Sequence, residues 1–167
     1  GLSYTSFEIS DISVCEADGK IKVAASVTNT GKRSGKEVVQ VYYSAPQGKL
    51  GKPKYELAAF AKTKELEPGE TRRVFAEFDV NQMASYDDLG KVCESAYVLE
   101  AGEYEFYIGN SVRNTVRADF VHKVEKDTVT EQLTRRAAPS KLEKRMLADG
   151  SVEDMPAFES NTEECTP

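Results

Sequence analysis

Residues able to do acid–base chemistry include 28 Asp and Glu in this sequence, but no motif joins them into a catalytic group. His122 is the single histidine, and no serine or cysteine motif accompanies it to mark a nucleophile. Asp87 and Asp88 are adjacent acids, and neighbours on an extended chain point to opposite faces, so they could not readily flank one substrate atom. We therefore interpret His122 as a strand-end residue and the acid pair as a solvated turn, and we predict no catalytic residue in this chain.

Motifs for cofactors and metals are also missing. Gly48-x-x-Gly51 is not followed by the Lys-Ser/Thr pair of a phosphate-binding loop. Cys15, Cys93 and Cys165 form no Cys-x-x-Cys pair that could hold zinc, and Glu163-Glu164-Cys165 is the nearest approach to a metal cluster. We predict no metal and no cofactor, and a Cys15–Cys93 disulfide stays open as an alternative to free thiols.

Tyrosines raise the one binding hypothesis that the residues themselves support. Eight are present, and six of them fall mostly within predicted strands: Tyr42, Tyr43, Tyr86, Tyr97, Tyr104 and Tyr107. A sugar-binding platform needs several rings on one exposed face, whereas strand alternation places part of this set in a core. We favour core or sheet packing and keep sugar stacking as the alternative.

Apolar residues recur mostly at every second position from Ser6 to about Val124, which is the period of half-buried strands. The predicted strands are Phe7–Val14 and residues 21–27, 38–43, 55–60, 74–80, 96–99, 104–108 and 116–121. Seven or eight short strands, most of them joined by tight turns, suit a domain of about 120 residues. The pattern predicts an all-β fold with two packed sheets.

Turn and bulge signals add detail to this sandwich. Glu67-Pro68-Gly69-Glu70 predicts a turn, because Pro sets φ at the second position and Gly supplies a positive φ at the third. The apolar phase changes between Ile9 and Ile12, so we expect a bulge or bend near Ser10-Asp11. Residues 21–43 are predicted to form an antiparallel pair of strands joined by a short connection.

The periodicity changes after Val124. Thr128-x-x-Glu131 and Ser140-x-x-Glu143, the second ahead of Met146, are capping-box patterns that predict two short helices. Residues 150–167 have few large apolar side chains and are expected to be mobile. The predicted division is a sandwich over residues 1–124 and, over residues 125–167, a partly helical connector with an acidic tail.

Length and charge narrow the set of partners. The 167 residues fit one ordinary domain with a tail, and 40% apolar residues can form a real core. The net charge of −6 is distributed as −3 over residues 1–125, +3 over residues 126–145 and −6 over the remaining residues. This excess of negative charge disfavours binding to the phosphate backbone of nucleic acid. No apolar run could cross a bilayer, and the first residues lack a signal-peptide pattern. We expect neither nucleic acid nor membrane as a partner, and a cytoplasmic rather than secreted location.

Five segments are similar, in order and spacing, to one known family. They are Gly1–Thr5, Val27–Tyr42, Lys52–Phe60, Leu66–Thr71 and Glu100–Tyr104. They resemble the fibronectin type III-like domain of glycoside hydrolase family 3 enzymes and the segment that leads into it, and the similarity covers about residues 1–121. One departure is Ala59, which stands where the family's Lys-Glu-Leu-x-Gly-Phe pattern has Gly.

The resemblance implies an immunoglobulin-like or fibronectin type III-like sandwich within a bacterial, β-glucosidase-like parent. Such a parent is a retaining hydrolase whose aspartate nucleophile lies in a barrel domain, and neither catalytic motif occurs here, so no catalytic residue is carried over. The chain is then not an enzyme itself but a module that packs against catalytic domains or a second subunit. The tail also resembles members in which the barrel follows this module, which would make residues 125–167 an interdomain connector. A carbohydrate-binding or protein-adhesion sandwich is the alternative function.

Overall fold

The computed structural model describes residues 4–134, 144–147 and 149–154. These residues form strands connected by turns and loops, with a single turn of 3₁₀ helix, Val80–Met83, in the described part. The strands are β1 Phe7–Ala17, β2 Lys20–Asn29, β3 Val38–Ser44, β4 Glu56–Lys62, β5 Thr71–Asp79, β6 Ser85–Asp87, β7 Ala96–Leu99, β8 Gly102–Ser111, β9 Asn114–Val124, β10 Thr128–Gln132, β11 Lys144–Met146 and β12 Val152–Asp154. No helix in the described ranges is long and apolar enough to cross a membrane.

Two antiparallel sheets enclose the main core. One has the strand order β1-β2-β5 and the other β4-β3-β8-β9. β2 buries alternate residues from Ile21 to Val27, and β8 does the same with Tyr104, Phe106 and Ile108. The rings of Phe78 and Phe106 lie 6.1 Å apart between the opposed sheets. The predicted two-sheet all-β sandwich is confirmed, because strands that alternate apolar and polar residues bury one face each against the other sheet.

The predicted bulge and turn are both present. The pairing of β1 with β2 shifts register between Ser10 and Ser13, and Asp11 between them has a φ of 47°. This shift leaves apolar residues on both sides of the bulge packed on the core. In the turn before β5, Gly69 has a φ of 81° and the Glu70 N–H donates to the Glu67 carbonyl at 2.9 Å.

The predicted pairing of β2 with β3 is wrong. β2 pairs with β1 and β5, whereas β3 pairs with β4 and β8, so the connection over residues 30–37 crosses from one sheet to the other. Alternation identifies a strand with one apolar face, but two such strands can pack face to face as well as side by side.

Asn29 stabilises this crossing connection at the end of β2. Its side chain is fully buried and in phase with the apolar residues of the strand. Nδ2 donates to the Arg33 and Leu66 carbonyls at 2.8 and 2.9 Å, and Oδ1 accepts from Thr5 Oγ1 at 2.8 Å and from the Gly31 N–H at 3.0 Å. One amide thus joins the entry to β1, the crossing connection and the loop before β5.

The first predicted helix after Val124 is wrong. Residues 128–132 form β10, which pairs with β7 in a third sheet of order β10-β7-β6. Thr128 Oγ1 donates to the Lys126 carbonyl rather than accepting from a helical N–H, and three β-branched residues in a row, Thr-Val-Thr, favour an extended chain.

The second predicted helix is replaced by a hairpin in its described part. Residues 140–143 lie outside the described ranges, but Met146 lies in β11 and pairs with Val152 of β12. Residues 152–154 of the segment expected to be mobile are therefore in a strand, and residues 155–167 lie outside the described ranges. The division at residue 124 stays a prediction.

Candidate functional site

The acid pair of the sequence is not a solvated turn. Asp87 is fully buried, and its carboxylate accepts backbone N–H donors from Val92 at 2.6 Å, Cys93 at 2.9 Å and Lys91 at 3.0 Å. Burial raises the pKa of the Asp87 carboxyl, but these hydrogen bonds outweigh burial and hold it below its usual value. All of its described partners are backbone groups of its own loop, so its role is to order residues 88–93.

Asp88 takes part in a separate ionic contact. Arg145 of β11 lies 3.0 Å from the Asp88 carboxylate and also pairs with Glu153 of β12, which accepts from Lys91 at 3.2 Å. The β11–β12 hairpin is therefore attached to the loop that Asp87 organises. The two acids serve different structural contacts and do not face one substrate position.

His122 forms a link between the two sheets of the sandwich. Its Nδ1 lies 2.7 Å from Glu16 Oε2 in β1, and its ring lies 6.2 Å from that of Tyr104. The imidazole is mostly covered, with 11% of its side chain exposed. These contacts fit the interpretation of a strand-end histidine that joins β9 to β1.

The glycine and cysteine motifs lead to no ligand site. A Cβ on Gly48 would lie 2.4 Å from the Glu100 carboxylate, so the space a phosphate would need beside Gly48 holds a negative charge. Cys15 is exposed, Cys93 is half-buried, and both are free thiols. In the part of the chain that the structure describes, no group of three His, Cys, Asp or Glu side chains could hold a metal ion. Glu163-Glu164-Cys165 lies outside that part.

A buried lysine forms a polar cluster that the sequence analysis missed. Lys52 is 1% exposed, and its Nζ donates to the Met83 carbonyl at 2.6 Å and lies 3.6 Å from Glu56 Oε1. Tyr43 donates to the other Glu56 oxygen at 2.8 Å. Burial lowers the pKa of Lys52 and, together with the Glu56 hydrogen bond, raises the pKa of Tyr43.

A lysine with a lowered pKa beside a tyrosine can be a catalytic pair, but this one cannot meet a substrate. Its amine is closed off from solvent and each contact is internal. We therefore interpret the cluster as structural. The hydropathy pattern around Lys52 gives no sign that this lysine is buried. Burial of Asn29 could have been predicted, because Asn29 continues the alternation of buried residues along β2.

The tyrosines divide between core and surface. Tyr43 and Tyr104 are buried, which confirms that alternation places part of the set in the core. Tyr42 and Tyr107 are paired neighbours on the outer face of the four-stranded sheet, and Tyr86 and Tyr97 are paired on the small third sheet. The structure therefore has two separate groups of tyrosines outside the core, one half-buried and one exposed.

The outer face of the four-stranded sheet carries the larger group. Leu57, Tyr42 and Tyr107 are aligned across β4, β3 and β8, and the Tyr55 ring meets the Tyr107 ring edge-on at 4.8 Å. Phe60 is 67% exposed and Leu57 is 54% exposed. We call Tyr42, Tyr55, Leu57, Phe60 and Tyr107 the aromatic surface.

The outer face of the three-stranded sheet is different. Phe75 of β5 is 71% exposed and stands beside small residues of β1 and β2, including Ser13, Cys15 and Ala24, around a shallow depression of about 450 Å³. Large apolar side chains this exposed are typical of surfaces that another body covers. Phe75 is a single ring, however, whereas the aromatic surface combines four large side chains on one sheet face with the strand-flanking Tyr55.

The chain is similar in sequence to one part of several larger proteins. Residues 37–112 match the family described as fibronectin type III-like domain. The chain is 47% identical over 174 residues to β-glucosidase A of Butyrivibrio fibrisolvens, a match that covers 95% of this chain and 21% of that protein. It is 45% identical to a β-glucosidase of Ruminococcus albus, with coverage of 93% and 17%.

Solved structures agree with this similarity. A β-glucosidase from Paenibacillus barengoltzii superposes with a TM-score of 0.84 at 43% identity, over 97% of this chain and 20% of that one. Thermotoga neapolitana β-glucosidase 3B, in complex with α-D-glucose, gives a TM-score of 0.69 at 42% identity over 78% of this chain and 17% of that one. The chain thus spans about a fifth of the length of these relatives.

Proposed function

We propose, because this chain carries the fibronectin type III-like domain of glycoside hydrolase family 3 β-glucosidase-like proteins, that it is a non-catalytic accessory module of such a hydrolase. The rest of the parent, including its catalytic residues, would lie outside this chain. The parent would hydrolyse terminal β-linked glucose or a related sugar. The cytoplasmic location expected from the sequence is part of the same proposal.

The observation that carries this proposal is that the acidic side chains which might have formed a catalytic site instead bond to groups of the sandwich itself. Each acid pair or buried ionisable group that could suggest catalysis, namely Asp87, Asp88, Glu100 and the Lys52 cluster, is engaged with backbone or side chains of the chain itself. Relatives about five times longer leave ample polypeptide to hold a catalytic centre.

We further propose that the aromatic surface is the face that packs against the rest of the parent. Tyr and Phe are the side chains that interface centres favour, because they bury a large area at low entropic cost. The Tyr107 ring is held in place, since its hydroxyl donates to Glu105 at 2.7 Å and Glu105 accepts from Arg117 at 2.6 Å. The hydrogen bond to Glu105 raises the pKa of Tyr107 to about 12, as expected for a phenol that donates to a carboxylate.

The absence of catalysis is tested directly. The purified chain is expected to fold cooperatively and to release no nitrophenol from aryl β-glucosides, because a retaining glycosidase needs two carboxyl groups facing one bond. A sample that carries only the purification tag is the control. Turnover above that control, at a rate proportional to the chain's concentration, would contradict the proposal.

The packing surface is tested with two matched phenylalanines in the full-length parent. Phe60→Asp on the aromatic surface is expected to weaken domain docking by about 2 kcal/mol, because a charge replaces a ring at an interface centre. Phe75→Asp, on the opposite sheet and similarly exposed, should leave docking unchanged. Limited proteolysis and the thermal midpoint of the parent report docking, and unfolding of the isolated chain shows that both variants fold equally well. If Phe75→Asp alone weakened docking of the domain, or if neither variant did, the aromatic surface would not be the docking face.

A further inference from the structure

The third sheet holds an exposed pair of tyrosines beside a polar cleft. Tyr97 lies on the central strand β7, with Tyr86 of β6 and Glu131 of β10 as its cross-strand partners. Partners directly opposite one another project from the same face of a sheet, so the three side chains form one row. Ala96 and Val98, on either side of Tyr97, are fully buried, which shows that the row faces outward.

The two rings are arranged so that neither covers the other. Their centroids are 5.6 Å apart and their planes differ by 58°, and Tyr86 and Tyr97 remain 40% and 37% exposed. A ring face carries partial negative charge and attracts the partially positive hydrogens of C–H groups. The pair therefore offers aromatic surface to a ligand that has an array of C–H groups.

Tyr97 also lines a cleft that contains several polar groups. This cleft of about 340 Å³ is lined by Asn81, Gln82, Ala84, Tyr97, Thr130 and Glu131. That volume is at the lower end of the range for small-ligand sites. The cleft thus combines one aromatic wall with amide, hydroxyl and carboxylate groups.

The polar side of the cleft is held in place by local contacts. Asp79 Oδ1 accepts from the Asn81 N–H at 2.8 Å, and Gln82 Oε1 accepts from the Asp79 N–H at 3.2 Å, which together cap the 3₁₀ helix. Thr130 Oγ1 donates to the Tyr97 carbonyl at 3.3 Å and ties β10 to β7. Glu131 has no ion-pair partner among the described residues, so its carboxylate can accept hydrogen bonds from a ligand.

We infer that this cleft is a binding site for a neutral saccharide, in which one pyranose ring stacks on Tyr97 while its hydroxyls reach Glu131 and the 3₁₀-helix amides. A pyranose has C–H groups on its faces and hydroxyl groups at its edge, which matches an aromatic wall with a polar rim. Glu131 is the charged side chain in the lining of the cleft, so the site discriminates against uronic and phosphorylated sugars. The site is independent of the docking proposal, because it lies on a different sheet from the aromatic surface.

Titration of the chain with cellotetraose, followed by amide NMR shifts and calorimetry, tests this site. We expect a Kd of about 1 mM, since the cleft is open and shallow. Tyr97→Ala should weaken binding at least about tenfold, whereas Tyr97→Phe, which keeps the ring, should stay within about twofold. Tri-galacturonate, a charged oligosaccharide of similar size, should bind at least about tenfold more weakly than cellotetraose.

Controls locate the binding and guard against misfolding. Tyr55→Ala removes a ring from the aromatic surface and should leave the affinity unchanged, and Glu131→Gln should weaken it about threefold by removing the charged acceptor. If Tyr97→Ala fails to fold, the same titration is carried out with Tyr86→Ala and Glu131→Gln, and weaker binding of cellotetraose is expected in both. No cellotetraose shifts at about 20 mM, or affinity lost in Tyr55→Ala but kept in the Tyr97, Tyr86 and Glu131 variants, would overturn the assignment.

Discussion

Gly109→Ala is expected to lower the free energy of unfolding by at least about 4 kcal/mol, a large share of the roughly 5–15 kcal/mol by which an ordinary domain is stable. A Cβ on Gly109 would lie 1.8 Å from the Asn114 carbonyl oxygen, and the atoms next nearest to it are also backbone. Backbone cannot rotate away as a flexible side chain can. The β8–β9 pairing would have to separate next to its bulge at Gly109–Ser111, and Gly109 also pairs with Gln40 of β3.

Urea unfolding followed by circular dichroism measures this loss, with Gly19→Ala as the matched control. Gly19 has a φ of 72°, and no atom lies within 4 Å of the position that a Cβ would occupy, so its replacement should cost only about 1 kcal/mol of backbone strain. If Gly109→Ala were as stable as Gly19→Ala, the close approach of β9 to β8 at this position would be wrong.

Asp87→Ala is expected to destabilise the chain by about 3 kcal/mol, because it removes the buried, charged acceptor of three N–H groups in residues 91–93. Asp88→Ala is the matched control. Asp88 is partly exposed and makes an ion pair with Arg145, so its loss should cost less than about 1 kcal/mol. Thermal and urea unfolding measure both variants, and equal losses in the two would contradict the different roles assigned to these neighbours.

The lowered pKa of Asp87 also predicts how the stability of the chain changes with pH. Since its hydrogen bonds outweigh burial and hold the folded-state pKa of Asp87 below the ordinary value, its contribution to stability is fully present above the unfolded-state pKa of about 4. That contribution is lost as pH falls from about 4 through the folded-state pKa. Stability measured against pH should therefore fall less steeply in acid for Asp87→Ala than for the unaltered chain. Parallel curves would show that Asp87 does not titrate in this way.

The strands could be predicted from the sequence because their determinants are local. Alternation, Pro-Gly turns and the change of phase at Ser10–Asp11 each depend on residues close in the chain. Which strands share a sheet depends on contacts between distant residues, such as the two hydrogen bonds between Gly35 and Leu66 that accompany the crossing connection. That information is absent from periodicity, and the pairing of β2 with β3 was predicted wrongly for this reason.

The hydrogen-bond partners of buried polar residues were the other feature that sequence reasoning could not supply. The local sequence around Asp87 fits a solvated turn as well as a buried carboxylate that orders its loop. Only the positions of the backbone N–H groups of residues 91–93 distinguish the two.

The helix predicted at Thr128 is absent because pairing with β7, a tertiary contact, outweighs the local capping preference. Tyr86 and Tyr97 are among the six tyrosines that the sequence analysis singled out. Their pairing and exposure could not be predicted, because both depend on the third sheet.

The bulge in β1 has a consequence for how separate copies of the chain meet in concentrated solution. β1 has 11 residues and lies at the edge of its sheet, and a regular edge of that length could recruit a strand from another molecule. Asp11 interrupts the edge with a φ of 47° and a charged side chain at the bulge. This irregularity disfavours intermolecular strand addition, and so protects a long edge strand against aggregation.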